Sequence, residues 1–551
     1  MSHGVARDFE RHGRAVAIAL VAVGLALRWR GISEYWLNAD EGIYYSTLTR
    51  ASIDAFWVEV WANAHPPGYY VLLRLLGFLT WDFVWLRASS MVFGAAAIWL
   101  FWLVGRELGG GGTRGVVSGL TGAALLALNG EAIVLSQVIR PYSLVVLLLA
   151  GALLNLLRYR REPKFQYLVG YATLLGFAVV SHYSAAMAIG VFSLVVLHDA
   201  MTRHLPRSAM GALLGAHAIP ILLLGALYVA HLGPALRSEL VRDALDVGGW
   251  LDAWLIDSPA TAWRSLLAYQ AFNLPPSFRV RAVIVASVAV IVSVASRERT
   301  PALLVTGAIA IAIVASALGV YPFGPTRHGA WLMVFTIPGL GWLAGASIAW
   351  PRRRTVVAGG ALLILLVAGA PIERALGGPE SGGLRTNATE ERVIRRADLA
   401  PLIVEHMAPS GEPEIILMSE QSYNLLMPLY PSDRELVTPS RDGSAFYFDY
   451  GDRQIVVTRQ WDFAGAQDLA RTLERFPDLL TRVERSDPPT VLAVVGGWGS
   501  SILPQAAGLA RLGVVIQATT AIGSGPDGRG MVRMMALVFD FGALSDLAAA
   551  G

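Results

Sequence analysis

The sequence contains no cysteine and only one lysine, Lys164. The first absence rules out disulfides, thiolate metal sites and cysteine nucleophiles. The second leaves arginine to carry nearly all the positive charge, and with the high alanine and glycine content it hints at a GC-rich bacterial genome. Charge of either sign is scarce: 15% of residues are Asp, Glu, Lys or Arg, where soluble globular chains carry about 25%. The net charge is only +3, and basic residues scattered between apolar runs do not make a nucleic-acid-binding surface. Hydrophobic side chains take up 54% of the 551 residues, and the mean hydropathy is +0.51. A large part of this chain must therefore face lipid.

Apolar stretches of roughly membrane-spanning length, about 17–25 residues, predict about eleven transmembrane helices, over 14–32, 84–104, 116–134, 141–158, 165–181, 184–199, 209–232, 280–296, 301–320, 328–349 and 355–371. The first runs straight into a polar loop with no small-residue cleavage pattern, so it reads as a retained span. The positive-inside rule then orients the chain. With Arg7, Arg11 and Arg14 cytoplasmic, the clusters Arg106/Arg114, Arg158–Lys164, Arg203/Arg207, Arg297/Arg299 and Arg352–Arg354 all fall inside. The 33–83 loop, the turns at 135–140 and 181–183, the 233–279 loop and residues 321–327 fall outside. This scheme holds only if the apolar stretch from Pro66 to Thr80, which carries Arg74, lies on the outer surface as a juxtamembrane helix. Residues 41–60 read as another such helix.

Residues 373–551 differ from the 1–372 membrane region. Charge rises there, and short β-like runs (Glu414–Met418, Gln454–Thr458, Thr490–Val495, Gly513–Gln517, Met534–Phe539) alternate with helical patterns over Ala464–Glu474 and Pro504–Arg511. That alternation predicts a soluble, extracytoplasmic α/β domain. Gly377–Gly383 reads as a linker, and Asn387-Ala388-Thr389 is a sequon in a host that glycosylates asparagine. Gly496-Gly497-Trp498-Gly499, placed between a strand and a helix, reads either as a phosphate cradle or, more simply, as a strand-to-helix turn. No internal repeat or long low-complexity tract is visible.

Polar residues kept at a membrane face are functional hypotheses by default. Leu37-Asn38-Ala39-Asp40-Glu41-Gly42-Ile43-Tyr44-Tyr45 follows the first span, and the same loop holds His65-Pro66-Pro67-Gly68-Tyr69-Tyr70. The carboxylate pair also suits a plain helix N-terminus, and His65 an ordinary interfacial position. Gln137-Val138-Ile139-Arg140-Pro141-Tyr142, Ser181-His182-Tyr183 and Pro325-Thr326-Arg327-His328 sit at the outer ends of spans. Each arginine taken alone can snorkel to headgroups. Gathered on the side of the acidic pair, they suggest an anion site, because guanidinium grips phosphate through paired hydrogen bonds.

The order of span, Asp-Glu loop, His-Pro-Pro helix, Arg-Pro-Tyr turn, His-Tyr turn and late Arg-His resembles the GT-C glycosyltransferases. Within them it looks most like the protein mannosyltransferase and aminoarabinose transferase superfamily, glycosyltransferase family 39 and its relatives. The resemblance covers roughly residues 10 to 372. It implies a polytopic enzyme of the cell envelope that takes a sugar from a polyprenyl-phosphate carrier and passes it to an extracytoplasmic glycan, lipid or protein. On this likeness Asp40 is the general base and Glu41 its neighbour, orienting acceptor or loop. Arg140, Arg327, His182, Tyr142 and His65 hold the donor phosphate, and Tyr44, Tyr45, Tyr183 and His328 line the pocket. The aminoarabinose transferases tend to carry lysine at the His182 position, and an acidic metal ligand where this chain has Ala64. These departures speak against a metal like theirs and against aminoarabinose, and no other cofactor is implied. Two other readings stay open: an oligosaccharide ligase with a diphosphate donor, which calls for more cations such as Arg237, Arg242 and Arg264, and a secondary transporter. A transporter would cluster its charges at mid-bilayer, often within inverted repeats.

Overall fold

The structure, a computed structural model, describes residues 3–50, 52–202, 204–237, 255–268, 299–324 and 326–348, isolated positions between 287 and 294, residues 423–424, and the strands given below. The helices are α1 (His3–Trp29), α2 (Ala39–Leu48), α3 (Ile53–Ala62), α4 (Pro67–Gly77), α5 (Phe83–Leu108), α6 (Gly112–Leu128), α7 (Gly130–Leu135), α8 (Tyr142–Arg161), α9 (Phe165–Ser181), α10 (Ala185–Thr202), α11 (Arg207–Leu227), α12 (Gly233–Arg237), α13 (Pro259–Ala268), α14 (Arg299–Ala317) and α15 (Met333–Ile348). A π-turn over Tyr228–Leu232 joins α11 to α12, and a 3-10 turn over Arg327–Leu332 leads into α15.

Among the described residues seven stretches are long and apolar enough to cross a membrane: Glu10–Trp29, α5, α8, α10, Arg207–Arg237, α14 and Arg327–Ile348. Helices α6 and α9 are apolar but shorter. Together these nine match nine of the expected spans, while the stretch at 355–371 and nearly all of 280–296 lie outside the described residues. Helix α4 has 11 residues, about 16 Å at 1.5 Å per residue, too short for a hydrocarbon core of about 30 Å. The single surface helix expected over 41–60 is two, because Ser52 starts a new helix by accepting from the Ala55 amide at 3.0 Å.

The span expected over 116–134 stops at Leu128. Arg28, fully buried at the end of α1, donates to the carbonyls of Leu126 (3.2 Å) and Ala127 (3.3 Å), which would otherwise continue the ladder. Asn129 then caps the short α7 by accepting from the Ala132 amide at 2.8 Å. This break turns the chain toward the segment that carries Arg140.

Small residues bring the central helices together. Gly119 of α6 faces α5 so closely that an added Cβ would lie 2.4 Å from the Trp102 carbonyl oxygen. On the other flank, a Cβ on Gly341 of α15 would lie 2.4 Å from the Ser118 carbonyl oxygen. Helices that have only lipid-like surfaces to bury gain contact by backbone approach of this kind.

Beyond the helices stands a seven-stranded sheet of β1 (Ile415–Met418), β2 (Thr438–Pro439), β3 (Ala445–Tyr450), β4 (Arg453–Thr458), β5 (Thr490–Trp498), β6 (Val515–Ile522) and β7 (Val532–Asp540), in the order β2-β3-β4-β1-β5-β7-β6. β1 pairs in parallel with β4 and β5, which requires crossover connections. All five expected strands are present, and β2 and β3 are additional. Residues 464–474, 504–511, 377–383 and 387–389, expected as helices, linker and sequon, lie outside the described residues. Gly496, Gly497 and Trp498 are neither cradle nor turn. They continue β5 and pair with Met534, Arg533 and Val532 of β7, so they belong to the ladder, while Gly499 lies outside the described residues.

Gly341→Val would force α15 away from α6. We expect a loss of about 1–3 kcal/mol, the usual cost of overpacking, seen as a lower thermal midpoint in detergent; an unchanged midpoint would contradict this packing.

Candidate active site

Helix α2 starts with a reciprocal cap. Asn38 Oδ1 accepts from the Glu41 amide (2.8 Å), and the Asn38 amide donates to Glu41 Oε2 (3.2 Å). Glu41 is fully buried, where a lone carboxylate would be costly. Arg87, near the start of α5, meets it with Nε to Oε1 (2.8 Å) and Nη2 to Oε2 (2.6 Å). The same guanidinium donates to the carbonyls of Ile32, Tyr35 and Trp36 at 2.7–3.1 Å. Glu41 Oε1 also accepts from the Ile139 amide at 2.8 Å. Glu41, expected beside Asp40 as a catalytic neighbour, thus orients the loop, and its oxygens are taken by protein donors.

The clamp sets Asp40 against Arg140, each adjacent in sequence to a clamped residue. Arg140 Nη2 donates to Asp40 Oδ2 at 2.8 Å, and Arg327 Nη2 donates to the same oxygen. The three side chains are largely shielded, at 18%, 2% and 11% exposure. Burial alone raises the Asp40 carboxyl, but Arg140 and Arg327, aided by His65 and His328, outweigh it and hold the carboxyl well below the usual range. The Arg140 guanidinium lies 5.7 Å from the ring centres of both Tyr44 and Tyr142, within cation–π range.

Three histidines complete the cluster. Ring centres of His65 and His182 are 5.9 Å apart, and those of His182 and His328 6.5 Å. Tyr44 lies 5.3 Å from His65, and Tyr142 lies 5.1 Å from His182. Burial, reinforced by neighbouring cations, lowers His65 to about 3 and holds His182 well below its ordinary value. His182 Nδ1 accepts from the Ser184 amide at 3.1 Å. A backbone N–H can only donate, so the ring proton of neutral His182 sits on Nε2.

Asp40, Tyr44, His65, Arg140, Tyr142, His182, Arg327 and His328 are therefore brought together at one end of the bundle. Two expected pocket residues are not shown in that cluster. Tyr45 bonds through its hydroxyl to the Trp81 carbonyl (2.9 Å), and Tyr183 to His231 Nδ1 (2.7 Å), which ties the turn before α10 to the π-turn. Three participants lay outside the expected set. Arg87 was signalled by an arginine inside an apolar run, and Tyr70, stacked on Tyr44 at 4.8 Å, by its place in the His-Pro-Pro segment. Tyr321, 5.8 Å from His328, carried no distinct signal. From the C-terminal third, the Asn424 backbone reaches α2: a Cβ on Gly42 would lie 2.1 Å from the Asn424 carbonyl oxygen.

No group of three or more His, Asp or Glu side chains stands close enough to hold a metal ion among the described residues. Asp40, the one carboxylate in the cluster, is engaged by two guanidiniums whose charge would oppose a cation.

No family model matches the chain, and no curated protein matches it by sequence. Among solved structures, the Archaeoglobus fulgidus oligosaccharyltransferase in complex with Zn and sulfate is 11% identical with a TM-score of 0.50, over 87% of this chain and 67% of that one. The S. cerevisiae protein O-mannosyltransferase Pmt1-Pmt2 complex bound to the sugar donor is 17% identical (TM-score 0.33), over 40% of this chain and 33% of that one. ArnT from Cupriavidus metallidurans in the apo state is 15% identical (TM-score 0.38), over 94% and 97%. The chain thus spans a third of the yeast chain it matches and about two thirds of the archaeal one. The archaeal oligosaccharyltransferase has the GT-C fold, and the fold of this chain is GT-C.

Arg87→Ala would leave Glu41 buried without its cation. We expect a loss of about 3–5 kcal/mol of stability, and a smaller loss when Glu41→Leu is combined with Arg87→Met; equal thermal midpoints for Arg87→Ala and wild type would refute the clamp.

Because His65 and His182 stay neutral when folded, the unfolded chain takes up protons below pH ~6.5 that the folded protein refuses. Stability then falls as pH drops through that value, by up to about 1.4 kcal/mol per pH unit for each histidine. His65→Gln should flatten the dependence of thermal midpoint on pH between about 6 and 4.5; a slope equal to wild type would show that His65 does not contribute.

Proposed function

We propose that this chain is a membrane glycosyltransferase that moves a sugar from a polyprenyl monophosphate to an acceptor on the extracytoplasmic side, inverting the anomeric centre. The observation that carries this is the convergence of Arg140 and Arg327 on Asp40 from 100 and 287 residues away. It gathers phosphate-gripping cations and a carboxylate at one end of a GT-C bundle.

The chemistry follows from the charges. In one step the bond from the anomeric carbon to the phosphate oxygen breaks, and a bond to the acceptor oxygen forms. The leaving phosphate gains a negative charge, which the two guanidiniums stabilise as it develops. The acceptor hydroxyl gives its proton to Asp40 as general base. Arg140, Arg327 and Asp40 sum to a net charge of +1, which matches the single charge of a phosphodiester. A diphosphate-linked donor would need a further cation; among the described residues this cluster holds only these two arginines, Arg242 and the Arg264 side chain lying outside them, so we favour the monophosphate.

The distribution of basic clusters supports a cytoplasmic N-terminus in an inner or plasma membrane. It puts this site and the C-terminal region, proposed as a separate domain from residue 373, on the far side. The approach of Asn424 to Gly42 supports a role for that domain in presenting the acceptor.

The test is transfer from a panel of radiolabelled polyprenyl-phosphate monosaccharides into an envelope extract by the purified chain. Asp40→Asn should lower the rate by about 10²-fold or more with the protein still folded, and near-normal turnover would remove the base. Arg140→Ala and Arg327→Ala should raise the KM for donor, and unchanged donor kinetics would assign both to headgroup contact. No transfer from any monophosphate donor would overturn the reading.

A further inference from the structure

One oxygen of Asp40 receives both arginines, and those N–H groups are the ones a donor phosphate would need. A carboxylate so held is a weak base, since its proton affinity falls as its charge is neutralised. The arrangement as it stands therefore suits neither donor binding nor deprotonation, and both difficulties have one remedy. We propose that the donor phosphate takes Arg140 and Arg327 from Asp40 as it binds, so that the carboxylate becomes a competent base only once the donor is in place. This rests on the functional reading above and adds to it an order, donor before acceptor, and a reason for that order.

The geometry allows the exchange. The three groups sit on separate segments: Asp40 in the first turn of α2, Arg140 in the turn before α8, and Arg327 at the start of the 3-10 turn before α15. Arg140 is steered by Tyr44 and Tyr142, one ring on each of two helices, so its orientation does not depend on Asp40 alone. The Asp40 backbone is fixed through Glu41, leaving its side chain as the part that can turn. Charge balances throughout. With donor bound, two guanidiniums face one carboxylate and one phosphodiester. After transfer, Asp40 holds the acceptor proton and is neutral, and the phosphate monoester carries two negative charges against the same two guanidiniums. The arginines are thus shared at first and wholly with the phosphate at the end, while the total stays at zero.

The exchange makes Asp40 a competitor of the phosphate. Binding of a sugar-free long-chain polyprenyl phosphate to the full chain in lipid nanodiscs measures that competition directly. Asp40→Asn and Asp40→Ala should both bind it more tightly than wild type, by about tenfold, the equivalent of one charge-assisted contact given up. Arg140→Ala should bind it about tenfold or more weakly. Because loss of a negative charge nearby would also tighten binding, a second measurement is made on wild type itself. Polyprenyl phosphate should shift a carboxylate stretching band in the infrared difference spectrum, and Asp40→Asn should lack that band. Binding to wild type without any carboxylate shift, or equal or weaker binding by both Asp40 variants, would overturn the exchange and leave the glycosyltransferase reading standing. No binding of polyprenyl phosphate to wild type would overturn both.

Discussion

The bidentate pair of Glu41 and Arg87 is the constraint on which the candidate site depends. Neither side chain reaches solvent, and between them they hold three separate pieces of chain. Arg87 gathers the carbonyls of residues 32, 35 and 36, so the stretch leaving α1 must curl around it. Glu41 caps its own helix and takes the Ile139 amide. Asp40 and Arg140, one residue away from each end of that contact, have little freedom to be anywhere but side by side. A buried ion pair is weak evidence for stability in itself, because desolvation offsets most of the attraction. Here its use is positional, with a geometry that a hydrophobic pair of equal volume could not specify.

The site built on this clamp is rich in groups and poor in net charge. Two arginines oppose one carboxylate, and the histidines at 65 and 182 are kept neutral by burial beside those cations. Neutral histidine can donate one hydrogen bond without adding charge, and the tautomer of His182 leaves its donor on Nε2. The surrounding tyrosines, Tyr44 among them, stay protonated, because burial pushes their hydroxyls upward. Such a pocket offers an anion directed contacts with little excess positive charge.

Much of this was legible in the sequence, for reasons that differ by element. Apolar runs with basic clusters between them are long-range signals, and they located nine helices, although α1 starts at His3 rather than 14 and α6 ends at Leu128 rather than 134. Asp40, Arg140, Arg327 and the three histidines stood out because polar groups at the ends of apolar runs need a reason to be there. The break at Leu128 was not legible, because the residue that causes it, Arg28, lies about a hundred residues away and acts on backbone carbonyls. The separate roles of Tyr44 and Tyr45 were hidden for a similar reason. Neighbours on a helix face different ways, and only the packing of α4 and Trp81 decides which one meets the site. The glycines at 496 and 497 misled because a glycine pair reads as a turn, while an antiparallel partner, β7, absorbs it into a ladder. The Arg87 clamp joins residues 46 apart in sequence: an arginine inside an apolar run signals that a partner is needed, but not that the partner is Glu41.

The turn carrying Arg140 shows how the membrane core reaches the chemistry. Gln137 donates to the carbonyls of Arg28 and Arg30, both at 2.7 Å. Ser143 bonds back to Leu135 and Ser136, at 3.0 and 3.1 Å. The turn is therefore tied to α1 on one side and to α7 on the other, before Pro141 commits the chain to α8. Arg28, which supplies part of that frame, is itself held by the end of α6, the helix whose small residues lock it between α5 and α15. A preorganised cation stabilises developing charge well because it need not reorient as the reaction proceeds. In this fold that preorganisation is inherited from close helix packing, passed through one buried arginine and one glutamine. Under the exchange proposed above, a fixed Arg140 and a turning Asp40 side chain would be complementary, the cation staying in place while the anion it holds changes.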